Sequence, residues 1–260
     1  MPTGSLSLAL IQTPTVWHDP VANRLRFSNL LNEVSPRTNL VLLPEMFSTG
    51  FTMASSEVAE SMDGPTVTWM RERAAALGMV IAGSIVIEEA GDYFNRFVWA
   101  TAEGEINTYD KRHRFRMAGE HNYYTAGSTR PIFQLGDWRV CPMGCYDLRF
   151  PVWSRNRGDY DLLVCVANWP AARQAAWDVL VKSRAIENLS YIAAVNILGT
   201  DGNGVVYGGG SGIFGPEGEA VVTADSNPGV FQATLNKEVL DEYRAAFPAW
   251  QDADEFELRS

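Results

Sequence analysis

Cysteine is scarce in this 260-residue chain, with three residues, Cys141, Cys145 and Cys165. So few, in odd number, argue against a disulfide framework and fit a reducing compartment, so a cytoplasmic location is expected. Histidine is equally scarce, also with three residues. Cations are outnumbered, 21 Lys and Arg against 31 Asp and Glu, a formal charge of −10. So acidic a surface argues against nucleic acid and anionic membranes as partners. It does not exclude a small anionic substrate, because a local cationic pocket can exist on an acidic protein. No apolar run approaches the length of a membrane span. The start, Met1-Pro2-Thr3-Gly4-Ser5, has no basic region before an apolar core, so no signal peptide is expected. Low-complexity segments and long internal repeats are lacking too.

What remains is an ordinary globular composition, 46% hydrophobic and 20% charged, long enough for one sizeable α/β core. Leu6, Leu8 and Leu10 alternate with smaller residues, a strand pattern. Asp19-Pro20 opens a helix with Leu25, Phe27, Leu30, Leu31 and Val34 at helical spacing. Residues 40–43 form a continuous apolar run, as in a strand buried on both faces. Further strands are expected over 79–87, 94–101, 106–109, 160–168, 191–198 and 230–235, with hairpins at Glu103-Gly104 and around 215–218. Helices are expected from Gly64-Pro65 to Gly78, over 170–190 and over 237–246. In the middle one, Ala176, Val179, Leu180, Ser183, Ile186 and Leu189 should face inward. The glycine-rich 202–212 matches neither a dinucleotide fingerprint nor a P-loop and reads as loop. Irregular alternation of strands, helices and hairpins predicts two sheets packed face to face with helices outside. A single domain over 1–246 is then followed by an acidic tail, 247–260, that either frays or docks on a neighbouring surface.

Candidate chemistry centres on residues 138–151, WRVCPMGCYDLRFP. A short apolar strand runs into Gly144, Cys145 follows at the turn, and Pro151 can begin a helix. That elbow would lift a thiol out of the sheet beside the free N–H groups of a helix start. Taken alone, Cys145 reads as a small core residue, as most free cysteines are. Glu45 follows the buried run 40–43 directly, where open α/β sheets place their sites, in a loop made apolar by Met46, Phe47 and Phe51. Residues 109–115, YDKRHRF, put a basic cluster after a strand in an acidic chain, with aromatics at both ends. Glu120 adds a carboxylate in the next loop, and Trp169-Pro170 closes another buried strand. Two rival chemistries stand beside this one. His113 could pair with Cys145 as base, or be a hydrogen-bonded structural histidine. Zinc on the three cysteines is disfavoured, because Cys141 and Cys145 lack a knuckle spacing.

Leu42-Leu43-Pro44-Glu45, Tyr109-Asp110-Lys111-Arg112-His113 and Gly144-Cys145-Tyr146-Asp147-Leu148-Arg149-Phe150-Pro151, in that order, resemble the nitrilase (carbon–nitrogen hydrolase) superfamily. Ala167-Asn168-Trp169-Pro170 and Arg184-Ala185-Ile186-Glu187-Asn188 extend the resemblance over essentially the whole chain, and the tail from Phe247 resembles that of the bacterial ω-amidase group. The resemblance implies an α/β fold, a four-layer α-β-β-α sandwich of two mixed sheets with outer helices, usually dimerised through one helical face. It implies a Glu-Lys-Cys triad on Glu45, Lys111 and Cys145, with Glu120 as a second active-site glutamate. Arg114 is a departure, since relatives often carry an apolar residue there.

The implied reaction suits those residue types. Cys145 attacks an amide carbonyl to form a thioester. Glu45 moves the protons. Lys111 and the backbone N–H of Tyr146 hold the oxyanion. No metal or cofactor is required. Short ω-monoamides such as 2-oxoglutaramate and succinamate are the expected substrates, in a pocket walled by Phe115 and Trp169. Arg112, Arg114, Arg116 and Arg173 are candidates for the substrate carboxylate, while Arg149 is expected to brace Asp147 or another acid. Two alternatives remain open: the same triad acting on an N-carbamoyl amino acid, nitrile or aliphatic amide, and a binding or scaffold protein that keeps only the fold.

Overall fold

The alternation at the start of the chain serves two cores at once. In the computed structural model, which describes residues 4–258, Leu6, Leu8 and Leu10 join one hydrophobic cluster and Ala9 and Ile11 another. Met1–Thr3 of the expected leaderless start and the last two residues of the tail lie outside the described residues. In chain order the first half contains β1 Ser5–Gln12, α1 Pro20–Leu31, β2 Leu40–Leu42, α2 Ser55–Val58, α3 Pro65–Leu77, β3 Val80–Glu89, β4 Asp92–Ala100 and β5 Ile106–Asp110. The second half contains β6 Phe133–Leu135, β7 Trp138–Gly144, α4 Pro151–Ser154, β8 Leu162–Val166, α5 Gln174–Asn188 and β9 Tyr191–Val195. β10 Leu198–Thr200, β11 Val206–Gly208, β12 Gly212–Phe214, β13 Ala220–Thr223, β14 Gly229–Asn236 and α6 Lys237–Ala246 complete it.

Two six-stranded sheets result, ordered β14-β1-β2-β3-β4-β5 and β13-β12-β9-β8-β7-β6. Both are mixed. β1, β2 and β3 run parallel, as do β7, β8 and β9, and antiparallel strands flank each trio. The shared core between the sheets takes Leu8, Leu10, Leu42 and Trp99 from the first and Val140, Val164 and Ile213 from the second. Outside the first sheet, Phe27 and Leu31 of α1 and Val67, Met70 and Ala74 of α3 pack on Ile11, Val41 and Ile81. Outside the second, α5 contributes Trp177, Val181 and Ala185. The layers are helix, sheet, sheet, helix. Among the described residues no helix is long and apolar enough to cross a membrane.

Four readings need correction. The helix expected over 170–190 begins at Gln174, after a 3-10 turn at Ala171–Arg173, and its inward face is Trp177, Val181, Arg184, Ala185 and Asn188. Val179 is 62% exposed and Ile186 49%. Hydropathy placed the stripe wrongly because two polar residues are buried through hydrogen bonds: Arg184 Nε donates to the Leu148 carbonyl, and Asn188 Nδ2 to the Arg184 carbonyl. Leu25 is likewise exposed on α1. The glycine-rich stretch is not all loop, since β11 pairs with β10 and β12 begins at Gly212. At the elbow, a 3-10 turn over Cys145–Arg149 leads into the single turn of α4. So short a helix has little macrodipole to offer the thiol. The described part of the tail turns once at Ala249–Asp252, and Phe256 lies under the Arg157 guanidinium at 4.5 Å.

Candidate active site

Four side chains meet because four strands end at the same place. Glu45 lies three residues beyond β2, Lys111 directly after β5, Cys145 directly after β7 and Asn168 two residues beyond β8. Glu45, Lys111 and Glu120 are buried, and Cys145 is 9% exposed. Lys111 Nζ donates to Glu45 Oε1 at 2.8 Å and to Glu120 Oε1 and Oε2 at 2.9 and 3.0 Å. Asn95, from β4, donates through Nδ2 to the same Glu45 Oε1 at 2.8 Å and is itself held by the Ser84 hydroxyl. The Asn168 backbone N–H donates to Glu45 Oε2 at 2.9 Å, and the Phe115 N–H to Glu120 Oε2.

Glycine is required before the thiol by close approach. A Cβ on Gly144 would lie 3.1 Å from Lys111 Cγ, so the lysine stem passes directly over the strand end. The strain falls one residue later, on Cys145 itself, with φ +36°, and Met46 beside Glu45 has φ +43°. Side chains held in that region at a site must be over-determined by their surroundings. Asp147 supplies part of that determination. Its buried carboxylate accepts from the Gly144 N–H, the Tyr109 hydroxyl, and both the backbone N–H and Nδ1 of His113. The segment carrying Lys111 is thereby bonded to the turn carrying Cys145. His113 is stacked on Phe150 with ring centres 3.8 Å apart, which makes it a structural histidine tied to Asp147.

Electrostatics set the resting protonation. Burial works against the Lys111 ammonium, but Glu120 and Glu45 outweigh it and hold its pKa well above the ordinary value. Burial raises the Glu120 pKa, with Lys111 opposing. Burial, then the charge of Glu45, push the Cys145 thiol well above its usual range, and Lys111 does not offset them. With the thiol pushed up and the lysine held charged, attack by sulfur needs a base at that moment. Among the described residues no group of three His, Cys, Asp or Glu side chains is placed to hold a metal ion.

The cluster lies at the edge of a cavity of about 710 Å³ lined by Lys111, Cys145, Phe115, Tyr146, Trp169, Arg149 and Arg173, among others. Of the residues expected to contact substrate, Phe115, Trp169 and Arg173 line it. Arg114 does not: its Nη1 donates to the Tyr124 carbonyl, which turns the guanidinium elsewhere. Arg112 is bonded to the Gly127 carbonyl and Arg116 is exposed outside the lining. The expectation for Arg149 is also overturned. Asp147 is occupied by other donors, and the Arg149 guanidinium stacks over Trp169 at 4.7 Å, inside the cavity. Arg173 stacks over Phe115 at 5.1 Å. Sequence reasoning missed Asn95 and gave Asn168 no role. A lone amide inside the apolar 94–101 run was the available signal for the first.

Four layers, with a buried thiol, an ammonium and two carboxylates at converging strand ends, equip the protein for acyl transfer through a thioester. The chain belongs to the carbon-nitrogen hydrolase family, whose model matches residues 7–245. It is 46% identical over 254 residues to omega-amidase YafV of Escherichia coli strain K12, covering 97% of this chain and 98% of that one. It is 28% identical over 251 residues to 2-oxoglutaramate amidase of Bacillus subtilis strain 168, covering 95% and 96%. A crystal structure of a CN-hydrolase superfamily protein from Xanthomonas campestris, with an arsenic adduct in its active site, superposes with a TM-score of 0.96. That chain is 44% identical, with 98% of this chain and 99% of that one covered.

Proposed function

We propose that this protein hydrolyses the terminal amide of short ω-monoamides of dicarboxylic acids, of the 2-oxoglutaramate and succinamate type, to the diacid and ammonia. The observation that carries the reading is the cavity itself. Arg149 and Arg173 line it together with Cys145, and among the described residues neither has an ion-pair partner. A substrate of this class has an amide at one end and a carboxylate at the other. A guanidinium is the side chain best matched to a carboxylate, through two parallel hydrogen bonds. The names borne by the Escherichia coli and Bacillus relatives point the same way.

In this reading Cys145 is the nucleophile and Glu45 the base. Glu45 Oε1 already accepts from Lys111 and Asn95, whereas Oε2 has one close donor, the Asn168 N–H. Oε2 is therefore the oxygen with a lone pair left for the thiol proton. Sulfur attacks the carbonyl carbon, and Glu45 passes the proton to the nitrogen. Ammonia leaves, and water activated by Glu45 then cleaves the thioester. Lys111 and the Tyr146 N–H hold the oxyanion, each donor contributing about 2.7–4 kcal/mol by comparison with other oxyanion holes. Glu120 keeps Lys111 charged and aimed. Free cysteines support a cytoplasmic setting. Val179 and Ile186, seven residues apart on the outer face of α5, support a homodimer covering that face.

Ammonia release from 2-oxoglutaramate, succinamate, propionamide and N-carbamoyl-β-alanine tests the reading. The first two should be preferred, and Arg149→Met should raise KM for succinamate roughly 10–100-fold while leaving propionamide unchanged. Turnover of the carbamoyl compound alone would keep the chemistry and overturn the substrate class. Absence of ammonia from the whole panel would revive the scaffold reading.

A further inference from the structure

Asn95 is a buried amide on β4 with both ends of its side chain committed inside the site. Its Nδ2 carries two hydrogens, and two carboxylate oxygens lie within reach of them, Glu45 Oε1 at 2.8 Å and Glu120 Oε1 at 3.3 Å. Its Oδ1 accepts from the buried Ser84 hydroxyl at 2.8 Å. That hydroxyl oxygen in turn accepts the Met46 N–H at 2.9 Å. These partners dictate the orientation of the amide, because reversing it would set its oxygen against both carboxylates. The Asn95 backbone carbonyl also accepts the Lys111 N–H at 3.0 Å. One residue thus reaches Lys111 through its main chain and both acids through its side chain. Ser84 secures the opposite end. A single hydroxyl binds Asn95 and the backbone of Met46, the strained residue that follows Glu45.

We propose that Asn95, held by Ser84, is the positioning residue that selects Oε2 of Glu45 as the oxygen that takes up the thiol proton. The proposal rests on the amide-hydrolysis reading above, in which Glu45 is the base. A carboxylate can be protonated on either oxygen. An oxygen that already accepts from Asn95 and Lys111 gains a hydrogen only by setting it against theirs, so the proton goes to Oε2. Lys111 secures this less well alone, because its ammonium also serves Glu120 and the oxyanion. Asn95 has a second effect, on charge. Glu45 and Glu120 bring two negative charges to the site and Lys111 brings one positive charge. A neutral donor between the acids lessens their repulsion without adding a charge. The charged and titratable groups that face Glu45 are Lys111, Glu120, Tyr124, Cys145, Cys165 of β8 and Tyr207 of β11. Lys111 is attracted to that carboxylate and Glu120 is repelled by it.

The test measures kcat and KM for succinamate between about pH 4 and pH 9 in wild type, Asn95→Leu and Ser84→Ala, with circular dichroism over the same range. Asn95→Leu should lower kcat roughly 10–100-fold and leave KM within about threefold. It should also move the acid limb of the profile upward by about one pH unit, the shift expected on losing one hydrogen bond to a charged acceptor. Ser84→Ala keeps the amide but frees it to turn, so it should move the limb the same way by less. An acid limb at the wild-type pH in both folded variants would overturn the proposal and leave Asn95 as packing within β4. A rise in KM with kcat unchanged would overturn it too, by assigning Asn95 to substrate binding. The limb is read where the ellipticity is constant, and should Asn95→Leu not fold, its movement or constancy in Ser84→Ala decides. Turnover of N-carbamoyl-β-alanine in place of succinamate would sink the substrate class, and the same profiles would be read on that compound. A wild type inert on the whole panel sinks both readings.

Discussion

Two buried carboxylate clusters in this molecule are built from similar groups and balanced in opposite ways. Around Lys111, two acids and a thiol share one cation. Around Asp161, one acid is shared by three cations: Arg139 at 2.7 Å, Lys237 at 2.9 Å and Arg244 at 2.8 Å. Burial alone would raise the Asp161 pKa, but hydrogen bonds from Arg139 and Lys237 reverse that and hold it far below the usual carboxylate range. Its two oxygens are saturated with donors, and its cations reach toward solvent. Nothing is left to accept a proton or a ligand. The first cluster is buried and short of protein donors at Glu45 Oε2. A saturated cluster fastens α6 to the second sheet, whereas an unsaturated one has capacity left for chemistry.

That contrast breaks or sharpens under substitution. The largest effect is expected at the nucleophile. Cys145→Ala should lower kcat/KM on succinamate by at least about 10⁴-fold with an unchanged far-ultraviolet spectrum, whereas Asp161→Asn should stay within about threefold. Substantial turnover by Cys145→Ala would put the chemistry on another residue. Lys111→Met comes next, because it removes the one cation between two buried acids. A loss of roughly 10²–10³-fold in kcat is expected from the missing oxyanion donor, with about 3–5 kcal/mol of stability lost to the uncompensated acids. A variant that unfolds at the wild-type urea midpoint would show that the lysine is dispensable for folding.

Asp161→Asn should act on stability instead. Roughly 2–3 kcal/mol in urea is expected, less than for a fully buried pair because Arg139 and Lys237 are partly solvated. The pH dependence carries the sign of the shift. A carboxylate whose folded pKa is depressed contributes stability that is complete above its unfolded value. That contribution is lost as pH falls from about 4 toward the folded value. Wild type should therefore lose more stability than Asp161→Asn between about pH 4 and pH 2, and parallel curves would contradict the assignment. The smallest effect concerns the resting thiol. Alkylation of Cys145 by iodoacetamide should be slow at pH 7 and still rising at pH 9, since burial and Glu45 disfavour the thiolate. A plateau below pH 7 would instead indicate a preformed thiolate–ammonium pair.

Legibility from sequence followed the kind of signal available. Glu45, Lys111 and Cys145 each follow a run recognisable as a strand, and a strand's end is where a side chain can leave the sheet. The bounds of α6 and the alternation of β1 were readable for similar local reasons. The face of α5 was not. Val179, Ser183 and Ile186 form a helical stripe by hydropathy, yet the sheet-facing stripe includes Arg184, which donates to the Leu148 carbonyl, and Asn188, which accepts from the Asn156 N–H, both more than thirty residues away. Arg149 was misassigned for a related reason. Its neighbour Asp147 was within reach along the chain, but Tyr109 and His113, more than thirty residues earlier, already occupied that carboxylate.

By itself, then, the sequence determined most of the elements, two sheets face to face with helices outside, and the three strand ends that carry a carboxylate, a lysine and a cysteine. Those follow from periodicity and turn chemistry, which act between near neighbours. Only the tertiary structure decided which oxygen of Glu45 stays free, which arginines face the cavity and that Asn168 is bonded to Glu45. Hydrogen-bond saturation is settled by groups that meet across two sheets, and no local pattern records who arrives first.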